Sequence, residues 1–208
     1  KLYQAAIDFY METKQPEKVA SLLEDCEDDN VLASVSEYVC EAPEFKPEEG
    51  TYKEVQEITI SSDTEGEIYY TTDGTDPTAK TGKKYKEPIL LEKEGTTEIR
   101  AIVVNMKGIP SGVISQTYTI EFPIADAPAV TPSTGRYTDP QKITITVPDG
   151  YTAYYTTDGS EPTASSEKYT GPIDMPANTT TTFNAVLINN RNGKATEVTT
   201  RSYITTAE

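Results

Sequence analysis

The stretch YYTTDGTDPTA at residues 69–79 returns as YYTTDGSEPTA at residues 154–164, with Thr75 and Asp76 exchanged for Ser160 and Glu161. Outward from this block the same interval of 85 residues separates Pro43 from Pro128, Gly50 from Gly135, Ile58 from Ile143 and Tyr118 from Tyr203. Tyr85 and Pro88 recur one residue early, at Tyr169 and Pro172, so a single-residue deletion is compensated further on. A near-identity held in register over so many positions is a tandem duplication.

Each copy reads as short antiparallel strands. Ile58 and Ile60, then Ile143, Ile145 and Val147, alternate with polar neighbours, as do Ile99, Ala101 and Val103 and their counterparts Phe183, Ala185 and Leu187. Successive side chains of a strand point to opposite faces, so this alternation predicts one buried face per strand. A unit of roughly 80 residues with six to eight such strands buries two apolar faces by forming an immunoglobulin-like sandwich. The fold class predicted is therefore mainly β: two tandem sandwiches over 42–122 and 127–208, preceded by a small α-helical segment over 1–41. The join EFPIADAP at 121–128 is short and bracketed by Pro123 and Pro128, which predicts a restricted hinge.

The first 40 residues contain no Gly, and Leu2, Ala6 and Phe9, then Val19, Leu22, Leu23 and Cys26, then Leu32, Val35 and Val39 recur at helical spacing. Three short helices follow from this pattern, with Pro16 in the first turn of the second and Asp28, Asp29 or Asn30 capping the third. Helices so short need one another to be stable. Cys26 and Cys40, the chain's two cysteines, both fall here. A bridge and two free thiols are both open, and two Cys without a His do not make a typical zinc site.

Composition narrows the function. A net charge of −16 repels phosphate backbones and anionic lipid, so neither nucleic acid nor a membrane surface is an expected partner. No apolar run reaches the roughly 20 residues that span a bilayer, and no signal-peptide pattern is present. Lys1 stands inside a helical pattern, so the expectation is a piece of a longer polypeptide. With no His in the chain, Ser-His-Asp, Cys-His and His-metal arrangements are excluded, and neither catalysis nor a cofactor is expected.

Two family resemblances add to this. The Pro-containing entry strand, YYTTDG-[ST]-[DE]-PT, Tyr-x-x-Pro-Ile, Ile-x-Ala or Phe-x-Ala, and closing Tyr-x-Ile resemble the chitobiase/β-hexosaminidase C-terminal domain family across most of the chain. That resemblance implies a non-catalytic immunoglobulin-like module appended to glycosidases or bacterial surface proteins, and an extracytoplasmic setting. The stretch from Tyr3 to Cys26, with Tyr10, the break at Lys14-Gln15-Pro16, and Ala20, resembles a tetratricopeptide-type helical hairpin, the last unit and cap of a longer array. It implies a protein partner for the helical segment.

Three uses of the repeated motif compete. In Asp73-Gly74 and Asp158-Gly159 the Gly tolerates positive φ while the carboxylate accepts local N–H and hydroxyl bonds, and Pro77 and Pro162 then end the strand, so a structural turn is one use. Asp73 with Asp76, and Asp158 with Glu161, place two carboxylates on one loop, the beginning of a calcium site. Tyr70 and Tyr155 share phase with the core, leaving Tyr69 and Tyr154 outward, where a ring can stack on a sugar of a cell-wall or other polysaccharide. The expected role is a spacer that displays a helical protein-binding platform, with a carbohydrate-binding module pair as the alternative.

Overall fold

The computed structural model describes every residue except Pro140, Ala207 and Glu208. Lys1–Glu121 form one compact unit and Phe122–Glu208 another.

In the first unit the β-branched and aromatic runs become β1 (Glu44–Lys46), β2 (Gly50–Tyr52), β3 (Gln56–Ser61), β4 (Gly66–Thr71), β5 (Lys83–Lys84), β6 (Ile89–Leu91), β7 (Gly95–Asn105) and β8 (Ile114–Ile120). They form a three-stranded sheet in the order β1-β3-β6 and a five-stranded sheet in the order β2-β8-β7-β4-β5. Phe45, Ile58, Ile60, Tyr70, Ile99, Ala101 and Tyr118 make up the buried core. The entering chain changes sheets: β1 runs antiparallel to β3, whereas β2 runs parallel to β8. Pro47 stands at the change, where a residue without an N–H cannot continue a ladder. The fully buried Tyr118 donates its hydroxyl to Pro47 O at 2.8 Å and so ties the closing strand to the switch.

The second unit repeats this design with β9 (Val130–Thr131), β10 (Gly135–Tyr137), β11 (Lys142–Ile145), β12 (Tyr151–Thr156), β13 (Glu167–Lys168), β14 (Ile173–Asp174), β15 (Thr180–Asn189) and β16 (Thr199–Thr205). Its sheets run β14-β11-β9 and β10-β16-β15-β12-β13, and β10 is again parallel to β16. Tyr203 donates to Pro132 O, also at 2.8 Å. The mainly-β fold of two sandwiches behind a helical segment is therefore the fold the chain adopts. Val147 departs from the expected alternation and is 37% exposed. β11 ends at Ile145, and Pro148, which has no N–H to donate, cannot carry the ladder on past Val147.

The helical segment consists of α1 (Leu2–Glu12), α2 (Pro16–Glu24), α3 (Asp29–Ser34) and a 3-10 turn at Ser36–Tyr38. Pro16 opens α2, and the Asp28 carboxylate caps α3 by accepting from Asn30 N at 2.9 Å and Val31 N at 3.3 Å. α1 buries a different stripe from the one its Leu2-Ala6-Phe9 spacing suggests. Ile7 is fully buried and Tyr10 and Met11 pack beside it, while Leu2 is 84% and Phe9 58% exposed. Both stripes obey helical spacing, so periodicity cannot choose between them. The partner decides: Ile7, Val19, Leu23 and Val35 pack around Ile109, which comes from the turn between β7 and β8. The helices thus share a hydrophobic cluster with the first sandwich. Cys26 and Cys40 are free thiols, and Cys40 Sγ donates to Val103 O at 3.4 Å. Burial pushes the Cys40 thiol's pKa up, so it is a packing group.

Candidate functional site

β4 and β12 carry the repeated tyrosines to their places. Tyr70 is 9% exposed within the first core, and Tyr155 packs on the second, its ring stacked on Phe183 at 5.4 Å between centroids. Tyr69 and Tyr154 point the other way and are half-buried. Register gives the outward rings a structural neighbour, because Tyr69 stands opposite Ile102 and Tyr154 opposite Val186. Directly paired residues share a face, and Ile102 and Val186 are 3% and 2% exposed on the outer side of the central strand. The Tyr69 hydroxyl also donates to Glu67 Oε2 at 2.7 Å, and Glu67 forms an ion pair with Lys84. Its bond to Glu67 pushes the Tyr69 pKa up. Thr152 occupies the position of Glu67 in the second copy and donates instead to Asn190 Oδ1 at 2.6 Å, so Tyr154 lacks that anchor.

After the tyrosines the chain turns through Gly74 at φ +80° and Gly159 at φ +82°, a conformation that a Cβ disfavours. Asp73 accepts from Thr75 N at 3.1 Å and Thr75 Oγ1 at 2.6 Å, and Asp158 does the same with Ser160 N at 3.0 Å and Ser160 Oγ at 2.5 Å. These hydroxyl and N–H donors hold both carboxylates below their ordinary pKa. Thr71 and Thr156 close each turn by donating to Thr75 O and Ser160 O. Pro77 and Pro162 are buried at the exits. The Thr75-to-Ser160 exchange preserves every one of these contacts.

The second carboxylate of each loop is placed differently. Asp76 receives Arg100 Nη1 at 2.6 Å, and Arg100 Nε donates to Glu98 at 2.9 Å. Glu98 is held below the usual carboxylate range first by Ser115 Oγ, at 2.7 Å, and then by Arg100. In the second copy Asn184 stands where Arg100 stood, donating Nδ2 to Gly159 O and Ser160 O, both at 3.0 Å, and Glu161 is exposed with no ion-pair partner among the described residues. Among the described residues no three His, Cys, Asp or Glu side chains gather to hold a metal ion. Arg100 and Asn184 are the residues of the candidate site that motif reading passes over. They lie outside the motif in sequence, and only the pairing of β4 with β7 and of β12 with β15 brings them beneath the turn.

Two family models match the chain in succession. One described as Fn3 associated covers residues 58–118, and one described as Chitobiase/beta-hexosaminidase C-terminal domain covers residues 132–200. The resemblance read on both copies is thus met by that domain on the second and by its own model on the first. Comparison with curated proteins returned no match. Among solved structures, the fibronectin(III)-like modules of Clostridium thermocellum CbhA align at 15% identity and TM-score 0.31, covering 79% of this chain and 95% of that one. Domains 4–9 of surface layer protein SbsC align at 14% identity and TM-score 0.31, over 79% of this chain and 31% of that one. Drosophila N-cadherin aligns at 10% identity and TM-score 0.25, over 79% and 50%. No helix among the described residues is long and apolar enough to cross a membrane. With one family match on each of two sandwiches of identical strand order, the chain is a tandem of immunoglobulin-like modules.

Proposed function

We propose that this region is a non-catalytic spacer of a bacterial surface or secreted protein, in which two sandwiches carry a helical segment that binds a partner protein. The observation that carries the reading is where contacts are used up and where they are not. In the repeated motif Asp73 and Asp158 serve the turns, and Tyr69 is tied to Glu67. On α1, Leu2 and Phe9 lie two turns apart on one face, 84% and 58% exposed, beside a helix held firmly through Ile7. Exposed apolar residues at that spacing suit the packing of a further helix, as in a stacked tetratricopeptide-like array or a bound amphipathic partner. The family match supports a setting outside the cytoplasm.

A photo-crosslinking amino acid at position 5, beside Leu2 and Phe9, should yield a discrete protein adduct in envelope extract that Leu2→Ser with Phe9→Ser removes. No discrete adduct, or one indifferent to that double variant, rejects the platform role. Carbohydrate binding is kept as a second reading because Tyr154 has no hydroxyl anchor of the Tyr69 kind. Retention on insoluble cell-wall or chitin-like polysaccharide that Tyr69→Ala with Tyr154→Ala abolishes would put that reading first.

A further inference from the structure

The two copies diverge beneath the Asp-Gly turn. In the first, the Arg100 guanidinium lies there, held by Asp76 at 2.6 Å and Glu98 at 2.9 Å. In the second, the corresponding residues are Asn184, Glu161 and Thr182, and Glu197 replaces Gly112. That last correspondence is fixed by matching hydrogen bonds. Ser111 Oγ accepts from Val103 N at 2.9 Å and donates to Gly112 O at 2.9 Å; Thr196 Oγ1 accepts from Leu187 N at 3.1 Å and donates to Glu197 O at 2.9 Å. The second copy therefore has no cation at the position of Arg100 and carries a carboxylate on the facing loop where the first has Gly112.

An open cavity of about 450 Å³ lies at this place, lined by Gly159, Glu161, Asn184, Thr196, Glu197 and Val198. Asn184 is 7% exposed, and its Nδ2 is committed to two carbonyl oxygens. That fixes the amide, since exchanging its O and N would set oxygen against oxygen. Asn184 Oδ1 is consequently an acceptor, and it is buried with no hydrogen-bond partner among the described residues. Buried acceptors are rarely left unpaired, because the desolvation is then uncompensated.

We propose that this cavity binds a hard divalent cation of the calcium class, with the Glu161 and Glu197 carboxylates and Asn184 Oδ1 as its side-chain ligands. The donors are all oxygen, two charged and one neutral, and both carboxylates lie on loops that can adjust to a ligand shell of six to eight oxygens. Calcium suits this flexible set better than magnesium, which demands a near-ideal octahedron. The ion supplies the positive charge that Arg100 supplies in the first copy. This site is independent of the role proposed above, and it uses neither Asp73 nor Asp158.

The test is calorimetric titration of the chelator-treated full chain with CaCl2, with thermal melting alongside. One equivalent should bind with a Kd of about 0.1–1 mM, the range of weakly liganded extracellular sites, and raise the melting temperature of the second module. Glu161→Gln with Glu197→Gln, close in shape to the parent, should weaken binding at least about tenfold, a loss of one neutralised carboxylate pair. Asn184→Arg, which restores the first copy's cation, should abolish uptake, whereas Asp73→Ala should leave it unchanged. Absence of heat up to about 10 mM calcium would mean that a water satisfies Asn184, and would overturn the proposal. So would uptake indifferent to both the Gln pair and Asn184→Arg, or two equivalents lost on Asp73→Ala with Asp158→Ala.

Discussion

The two modules share strand order, register and turn, yet the same position in each does a different job wherever it meets something outside the sandwich. Ile109, in the turn after β7, is 1% exposed and closes the helical cluster. Its counterpart Lys194 instead donates Nζ to Phe122 O at 2.6 Å, in the segment that enters the second module. Each turn thus anchors whatever chain arrives at its own module, by burial in one case and by a charged hydrogen bond in the other. Inside the core the contrast is between aliphatic and aromatic packing. Ile99 fills the first core where Phe183 fills the second, and Phe183 lies between Tyr155 and Tyr203 with centroids 5.4 and 6.5 Å away. A duplicated scaffold tolerates such exchanges because the backbone bonds that define it do not depend on them.

The sharpest way to break the comparison is Phe183→Ala, which should cost the second module about 4 kcal/mol by transfer and cavity terms. Calorimetry of the whole chain should then show one transition lowered and the other in place; a joint shift would mean that the modules do not unfold separately. Ile109→Ala comes next, at about 3 kcal/mol. Hydrogen exchange should rise in α1 and α2 well above the rise in β7, and Lys194→Ala should do nothing comparable to the second module. Tyr118→Phe and Tyr203→Phe each remove one hydroxyl from a Pro carbonyl and should each cost about 1 kcal/mol. Denaturant melts that differ markedly between the two would show that the sheet switch is not equally supported. Burial pushes both hydroxyls up to about 12, so the stability they confer is complete below the free tyrosine value of about 10 and is lost as pH climbs from there.

The smallest effect is expected in acid. Glu67 is held below its ordinary pKa by Lys84 and then Tyr69, Glu98 by Ser115 and Arg100, and Asp73 by Thr75, all in the first module. In the second, Asp158 is held down by Ser160. A carboxylate with a lowered folded pKa stabilises above its unfolded value of about 4 and loses that contribution as pH falls through the folded one. Melting of the first module should therefore fall further than melting of the second between about pH 5 and 2. Equal falls would remove the distinction. Glu67, Asp73 and Asp158 are solvent-exposed and Glu98 is half-buried, so screening by water keeps the difference modest.

What the sequence reveals is what local rules control. Period-two alternation places Tyr70 and Tyr155 inward, and the Asp-Gly pairs call for turns at Gly74 and Gly159, because strand and turn geometry depend on a few adjacent residues. The inward stripe of α1 is hidden, since Leu2-Ala6-Phe9 and Tyr3-Ile7-Tyr10 are equally periodic and a residue about one hundred positions away selects between them. The outward tyrosines show the same limit. Their exposure follows from phase, whereas their place beside Ile102 and Val186 follows from pairing with strands some 30 residues distant in the chain. Arg100 and Asn184 are visible in the aligned copies, but nothing local says that the difference falls under a turn.

The parallel pairing of β2 with β8, and of β10 with β16, has a mechanical corollary. In each module the strand near the entrance and the strand at the exit lie side by side and point the same way, so tension applied through the two ends runs along their shared ladder. Such a load must shear the connecting bonds together, whereas a force across β4 and β5, which are antiparallel, would peel theirs one after another. Force spectroscopy on a module held by its ends should accordingly give a higher rupture force than one held across that hairpin.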